Sequence, residues 1–185
     1  MLGTIQCKCI MEQQIKTGDV LLVSSNRWIS KAIKWFTKSE WSHAGVFIQI
    51  WGEWYIIEAE KRGIQLTKWE DPSKYDGGRT TKKKLALLKP KRQYLVEEKK
   101  LANFVLPYAG TEPYDYIGLL VQAWFQLTGK WVGKTKEKAE KRMYCSEFVA
   151  FVYHHFNQKT FFDWWLISPA ALSKVSYFTT HPINY

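Results

Sequence analysis

The residues from Trp41 to Glu60, WSHAGVFIQIWGEWYIIEAE, are mostly apolar or aromatic, with the β-branched and ring-bearing content that favours strands. They predict a strand pair over 43–50 and 54–59, joined around Trp51-Gly52-Glu53. Upstream, TGDVLLVSS (17–25) reads as a Gly-Asp turn feeding a short strand. NRWISKAIKWFTKSE (26–40) carries apolar residues at 28, 29, 32, 33, 35 and 36, which is helical spacing, and Ser24, Ser25 or Asn26 can cap it. Downstream, GIQLTKWEDPSKYDGG (63–78) predicts a short strand running into a loop, and KKKLALLKP (82–90) a strand ended by Pro90. A helix is expected over 93–106, broken at Pro107, and an apolar helix from near Pro113 to Gly129. After the charged stretch 130–142, YCSEFVAFVYHHF (144–156) is strongly helical. SPAALSKVSYF (168–178) opens with Ser as N-cap and Pro at the first helical position. Strands gather in the first half and helices in the second, which predicts an α+β fold rather than alternating βαβ units.

Length and composition narrow the class. A chain of 185 residues suits one domain with a real core, and 46% apolar residues with ten Trp exclude a disordered chain. No internal repeat or low-complexity segment is present. No apolar run approaches the ~20 residues of a membrane span. Residues 1–14 read as an N-terminal tail without the ~7–15-residue apolar run of a secretory signal. Met11 is an alternative start, since organised sequence begins near Ile15. The expectation is a cytoplasmic protein, with release by lysis or another route left open.

Lys and Arg number 27 against 17 Asp and Glu, a surplus of 10 that favours anionic partners. It is spread over Lys82 to Lys84, Lys89 to Arg92 and Lys130 to Arg142, and no helix-turn-helix, zinc-finger or RNP-type pattern converts it into nucleic-acid binding. A solvated basic surface explains each run as well as peripheral contact with an anionic membrane or cell-wall polymer does. The basic helix 26–40 bears Trp and Phe and is read as laid over the protein's own sheet, with a membrane surface as the alternative. A monomer is expected, because no heptad or self-complementary patch is visible. Trp124, Trp131, Trp164 and Trp165 are read as core or rim residues, and Asp19 as a turn residue.

Three cysteines, an odd number, argue against a disulfide framework. Cys7 and Cys9 form a lone C-x-C without the second ligand pair of a zinc site. Cys145 opens a helix, where unpaired N–H groups favour the thiolate that attacks carbonyls. Such a nucleophile needs a base, and the base an orienter. His154 and His155 lie nine and ten residues on, ~14 Å along the same helix, out of reach. His181 falls in a short tail, which leaves His43 as the one histidine on a rigid strand. If Trp51-Gly52 is a two-residue turn, Glu58 falls opposite Gly45 and becomes the diagonal neighbour of His43, ~7–8 Å away between backbones. A one-residue slip would put the two on opposite faces. Glu60, on the same face and two residues further from the turn, is the rival orienter.

These pieces, taken in order as GDVLLV, WSHAGVFI, YIIEAE with RGI, GTEPYDYIGLL, YCSEFV and SPAALSKVSYF, resemble the circularly permuted papain-like amidases. That YiiX-like family is related to NlpC and akin to lecithin:retinol acyltransferase. The resemblance covers roughly residues 16–178 and implies one permuted papain-like domain over 15–185. Its fold would be an antiparallel sheet or half-barrel packed on helices, with the histidine strand preceding the nucleophile at a helix N-terminus. It implies Cys145 as nucleophile, His43 as base and Glu58 as orienter, with Tyr114 of PYDY a candidate substrate-binding residue and no cofactor or metal. The segment 130–142 and the Trp-rich stretch 161–165 depart from the family, so substrate does not carry over. Three functions remain open. One is a thiol amidase or peptidase, on peptidoglycan-type peptides or lipid-linked amides; the second is a lipid-directed acyltransferase or esterase. The third is a binding or structural module without turnover.

Overall fold

The computed structural model describes residues 15–25, 30–31, 34–35, 38–60, 62–70, 84–111, 128, 130, 143–156, 164 and 167–183. Six strands are formed by β1 (Val20–Ser24), β2 (His43–Ile50), β3 (Glu53–Glu60), β4 (Gly63–Lys68), β5 (Lys84–Pro90) and β6 (Phe178–Ile183). They make one open sheet in the order β4-β3-β2-β1-β5-β6, antiparallel at every described pairing. Helices described from end to end are α1 (Glu98–Val105), α2 (Cys145–Phe156) and the single turn α3 (Pro169–Leu172). The fold is α+β and papain-like.

Strand β1 is buried along its whole length because both sheet faces are covered. Val20 and Leu22 point to one face with Ala44, Val46, Ile57 and Leu88, and meet Phe148, Val149 and Val152 of α2 and Leu101 and Val105 of α1. Leu21 and Val23 point to the other, with Phe47, Ile56, Trp69, Leu85 and Leu87. The period of two thus decides which core each residue joins. The β2–β3 hairpin closes through Trp51 (φ 51°) and Gly52 (φ 82°), with Ile50 paired to Glu53. Two positive φ values in succession mark the turn whose twist matches the strands, as the two-residue reading anticipates.

Tyr153 donates its hydroxyl hydrogen to the Gly18 carbonyl, tying α2 to the turn before β1. Asp19 closes that turn by accepting from the Lys16 backbone N–H at 3.0 Å. Ser168 caps α3, accepting from Ala171 N at 3.1 Å, and Pro169 follows it, as predicted.

Three expectations need correction. Residues 178–183 are not a tail: they form β6, an edge strand on β5, so strands are not confined to the first half. Five of its six residues face solvent at least in part, and an edge position tolerates Pro182. The helix expected over 93–106 is shorter. A 3-10 turn at Arg92–Tyr94 precedes it, Leu95 is extended and exposed, and only 98–105 is α-helical. Pro107 sits inside a 3-10 turn at Leu106–Tyr108 rather than beyond a break. The helix expected from Pro113 to Gly129, with Tyr114, and the segment 130–142 lie almost wholly outside the described residues, as does much of 26–40.

Candidate functional site

His43 is the first residue of β2, and the chain ahead of it is pinned. Buried Ser42 donates both its backbone N–H (2.9 Å) and its hydroxyl (3.2 Å) to the Val23 carbonyl. Across the hairpin, Val46 pairs with Ile57, so the register carries Gly45 opposite Glu58. No side chain fits at 45. A Cβ there would stand 2.5 Å from Ile56 Cγ2 and 3.1 Å from Glu58 Cβ. The missing side chain leaves Glu58 room to cross diagonally, and its Oε2 lies 2.7 Å from His43 Nε2.

Glu58 is almost fully buried, while the His43 side chain keeps 21% of its surface exposed. An imidazole nitrogen at that distance from a buried carboxylate is the donor of a charge-assisted hydrogen bond. A proton carried on Nε2 would point at Glu58 on β3. Glu60 faces the same way but is exposed. Of the two acids, Glu58 is the buried one and makes the 2.7 Å contact with the ring.

Cys145 reaches the same histidine from the other end of the chain. It is 1% exposed, and its charge and hydrogen bonding are the largest influences that favour a charged His43 imidazole. With Nε2 engaged by Glu58, Nδ1 is the nitrogen left for the thiol. Burial works against a charge on His43, but the Cys145 thiolate and then Glu58 outweigh it, so the imidazole pKa stands well above its ordinary value. Cys145, His43 and Glu58 thus come together at one imidazole.

The start of α2 is fixed by a residue that sequence reading passed over. Glu147, fully buried, accepts from the Tyr144 backbone N–H at 3.0 Å, the reach-back half of a capping box. An acid three residues after the residue preceding a helix was the signal available. Ser146 donates to the Ile167 carbonyl at 2.8 Å and joins α2 to the segment before α3. By position, the Cys145 N–H belongs to the first turn and has no acceptor within the helix.

Two of the other histidines make contacts elsewhere. His155 stacks on Phe104 with centroids 3.8 Å apart, and His181 meets Thr179 at 2.9 Å on β6. Among the described residues, one group offers metal ligands: His43, Glu58 and Glu60, with one donor atom each, all within 4.8 Å of one another.

The family profile of the permuted papain-like amidase enzymes, YaeF/YiiX, C92 family, matches residues 14–117, more than half of the chain. The chain belongs to that family. The match includes His43 and Glu58 and ends ahead of Cys145. No curated protein matches. Among solved structures, the chain is similar to the crystal structure of metalloprotein yiiX from Escherichia coli O157:H7. The TM-score is 0.61 at 22% identity, over 93% of this chain and 99% of that one. At this identity the likeness speaks for the fold. Membership in the permuted amidase family supports a cysteine-hydrolase type of function.

Proposed function

We propose that this chain is a cysteine amidase in which Cys145 is the nucleophile, His43 the base and Glu58 the group that positions the base. The observation that carries the reading is the 2.7 Å contact from His43 Nε2 to a buried carboxylate, with Cys145 at the same ring.

The Cys145 thiol gives its proton to His43 Nδ1, and the thiolate sulfur attacks the carbonyl carbon of a bound amide. The electron pair of the C=O bond moves to oxygen, and the Cys145 N–H at the head of α2 offers it a hydrogen bond. The tetrahedral adduct collapses as the imidazolium passes its proton to the leaving nitrogen, giving an amine and an acyl thioester. Water, deprotonated by His43, then cleaves the thioester and restores the thiol. Glu58 keeps the ring in one tautomer throughout and stabilises each imidazolium.

The solved neighbour is described as a metalloprotein, and the donor set here fits such an ion. His43, Glu58 and Glu60 supply one nitrogen and two oxygens, hard and borderline ligands that suit zinc. A bound ion would supply a Lewis acid, and no step of the thiol chemistry runs through it.

A lipid-linked substrate is the second reading, favoured by Trp35. It is 70% exposed beside exposed Lys31 and Lys38, in the connection from β1 to His43, and Lys34 Nζ lies 3.3 Å from Ser24 Oγ. Co-sedimentation with vesicles containing anionic lipid, lost in Trp35→Ala, would favour it.

The amidase reading is tested by alkylating Cys145 with iodoacetamide at neutral pH in metal-free buffer. Wild type should react at least ~10-fold faster than His43→Ala, in line with general-base contributions of about 10²–10⁴. A thiol that never reacts in the folded protein, or reacts equally in both, would leave a binding module as the better account.

A further inference from the structure

We infer that His43, Glu58 and Glu60 form a site for a divalent cation of the zinc type, and that the ion, when bound, switches the thiol site off. The inference deepens the amidase reading, since it assigns a regulator to the same histidine.

The first argument is placement. Glu58 and Glu60 are alternate residues of β3 and share a face, and each offers an oxygen within 4.8 Å of the His43 nitrogen. An ion bound at ~2.1 Å from each ligand needs donors roughly 3–3.5 Å apart. Glu60 is exposed, and closing the remaining gap takes a rotation of its side chain. The inner carboxylate is buried and preset, the outer one stands at the surface, and the ion has an entry path between water and His43. Two carboxylates also balance its double charge.

The second argument is exclusion. Glu58 contacts Nε2, so an ion held by the two acids takes Nε2, while Cys145 is left with Nδ1. The ion would therefore be held without the thiolate. A neutral imidazole bound to metal through Nε2 keeps its one proton on Nδ1. It then has no lone pair with which to accept the Cys145 proton. Metal binding and the Glu58–imidazolium pair use the same nitrogen, and each excludes the other.

The test uses the full chain carrying Cys7→Ser and Cys9→Ser, which removes the other thiols. After chelator treatment it is titrated with Zn²⁺ against a chromogenic indicator and, separately, with Co²⁺. One equivalent should bind, with equal affinity when Cys145→Ser is added. Glu60→Gln should weaken binding at least ~10-fold. The cobalt spectrum should lack a sulfur charge-transfer band. In the parent, zinc should slow Cys145 alkylation at concentrations that leave Glu60→Gln unaffected, each compared with its own metal-free rate. No stoichiometric binding, or binding lost in Cys145→Ser and retained in Glu60→Gln, would overturn the site. A thiol inert without metal, alongside zinc binding that needs Glu60, would sink the amidase reading and leave the metal site standing.

Discussion

Gly45→Ala probes the packing that allows Glu58 to reach His43. The new methyl would lie 2.5 Å from Ile56 Cγ2, 3.1 Å from Glu58 Cβ and 3.3 Å from the Ile57 carbonyl oxygen. Ile56 is β-branched and fully buried, so its Cγ2 has little room to move, and the carbonyl belongs to the sheet ladder. Overpacking of this kind costs ~1–3 kcal/mol. The stiffer unfolded chain returns ~0.4–1 kcal/mol. A net loss of about 1–2 kcal/mol is expected, read as a lower urea midpoint at unchanged slope. The same push moves Glu58 off its 2.7 Å contact, and Cys145 alkylation should slow by between a few-fold and about a hundredfold. Ile56→Leu removes the offending branch at constant volume, so the double variant should recover part of the loss, with a coupling of about 0.5–3 kcal/mol. If Gly45→Ala proves as stable and as reactive as wild type, the close approach does not exist and the argument built on it fails.

Glu58→Gln removes the hydrogen-bonding and coulombic support that Glu58 gives the imidazolium, so the His43 titration followed by NMR in chelator-treated protein should move to lower pH. An unmoved titration would dismiss Glu58 as the positioning residue. Burial raises the Asp19 carboxyl to about 6, against the Lys16 N–H and the charges of Lys89 and Lys16. Raised above its unfolded value, it contributes stability that is full below pH ~4 and lost as pH rises through about 6, on the order of 3 kcal/mol at most. Denaturant melts of wild type and Asp19→Asn across pH 4–7 should therefore differ in slope, and parallel curves would count against the assignment. Tyr153→Phe takes the hydrogen bond from the Gly18 carbonyl and should cost about 1–2 kcal/mol in the same melts.

The hairpin was legible because its evidence is local. Strand-forming residues flank Trp51-Gly52, and once that turn is fixed the register of Glu58 against Gly45 follows. Glu58 and Glu60 differ in depth, and one strand's sequence cannot say which of two same-face acids is covered by the rest of the fold. Strand β6 was illegible for the opposite reason: FTTHPI is polar and holds a proline, and only its place at the sheet edge makes it a strand. Cys145 could be suspected from the helix it opens, but its meeting with His43 depends on how α2 packs against β2 and β3. The family resemblance supplied that pairing before any geometry did. Tyr114 lies outside the described residues, so its suggested part in binding substrate stays where the sequence left it.

The two halves of the site differ in when a newly made chain can assemble them. His43 and Glu58 belong to one hairpin, whose short loop closes early and at small entropic cost, whereas Cys145 comes from a helix encoded far downstream. The imidazole and its carboxylate can thus find each other while the thiol is still part of an unordered segment. Under the proposed mechanism such a thiol has no ordered base beside it, so the growing chain would not carry an armed nucleophile. On the proposed mechanism, reactivity at Cys145 would report that α2 has packed against the β2–β3 hairpin.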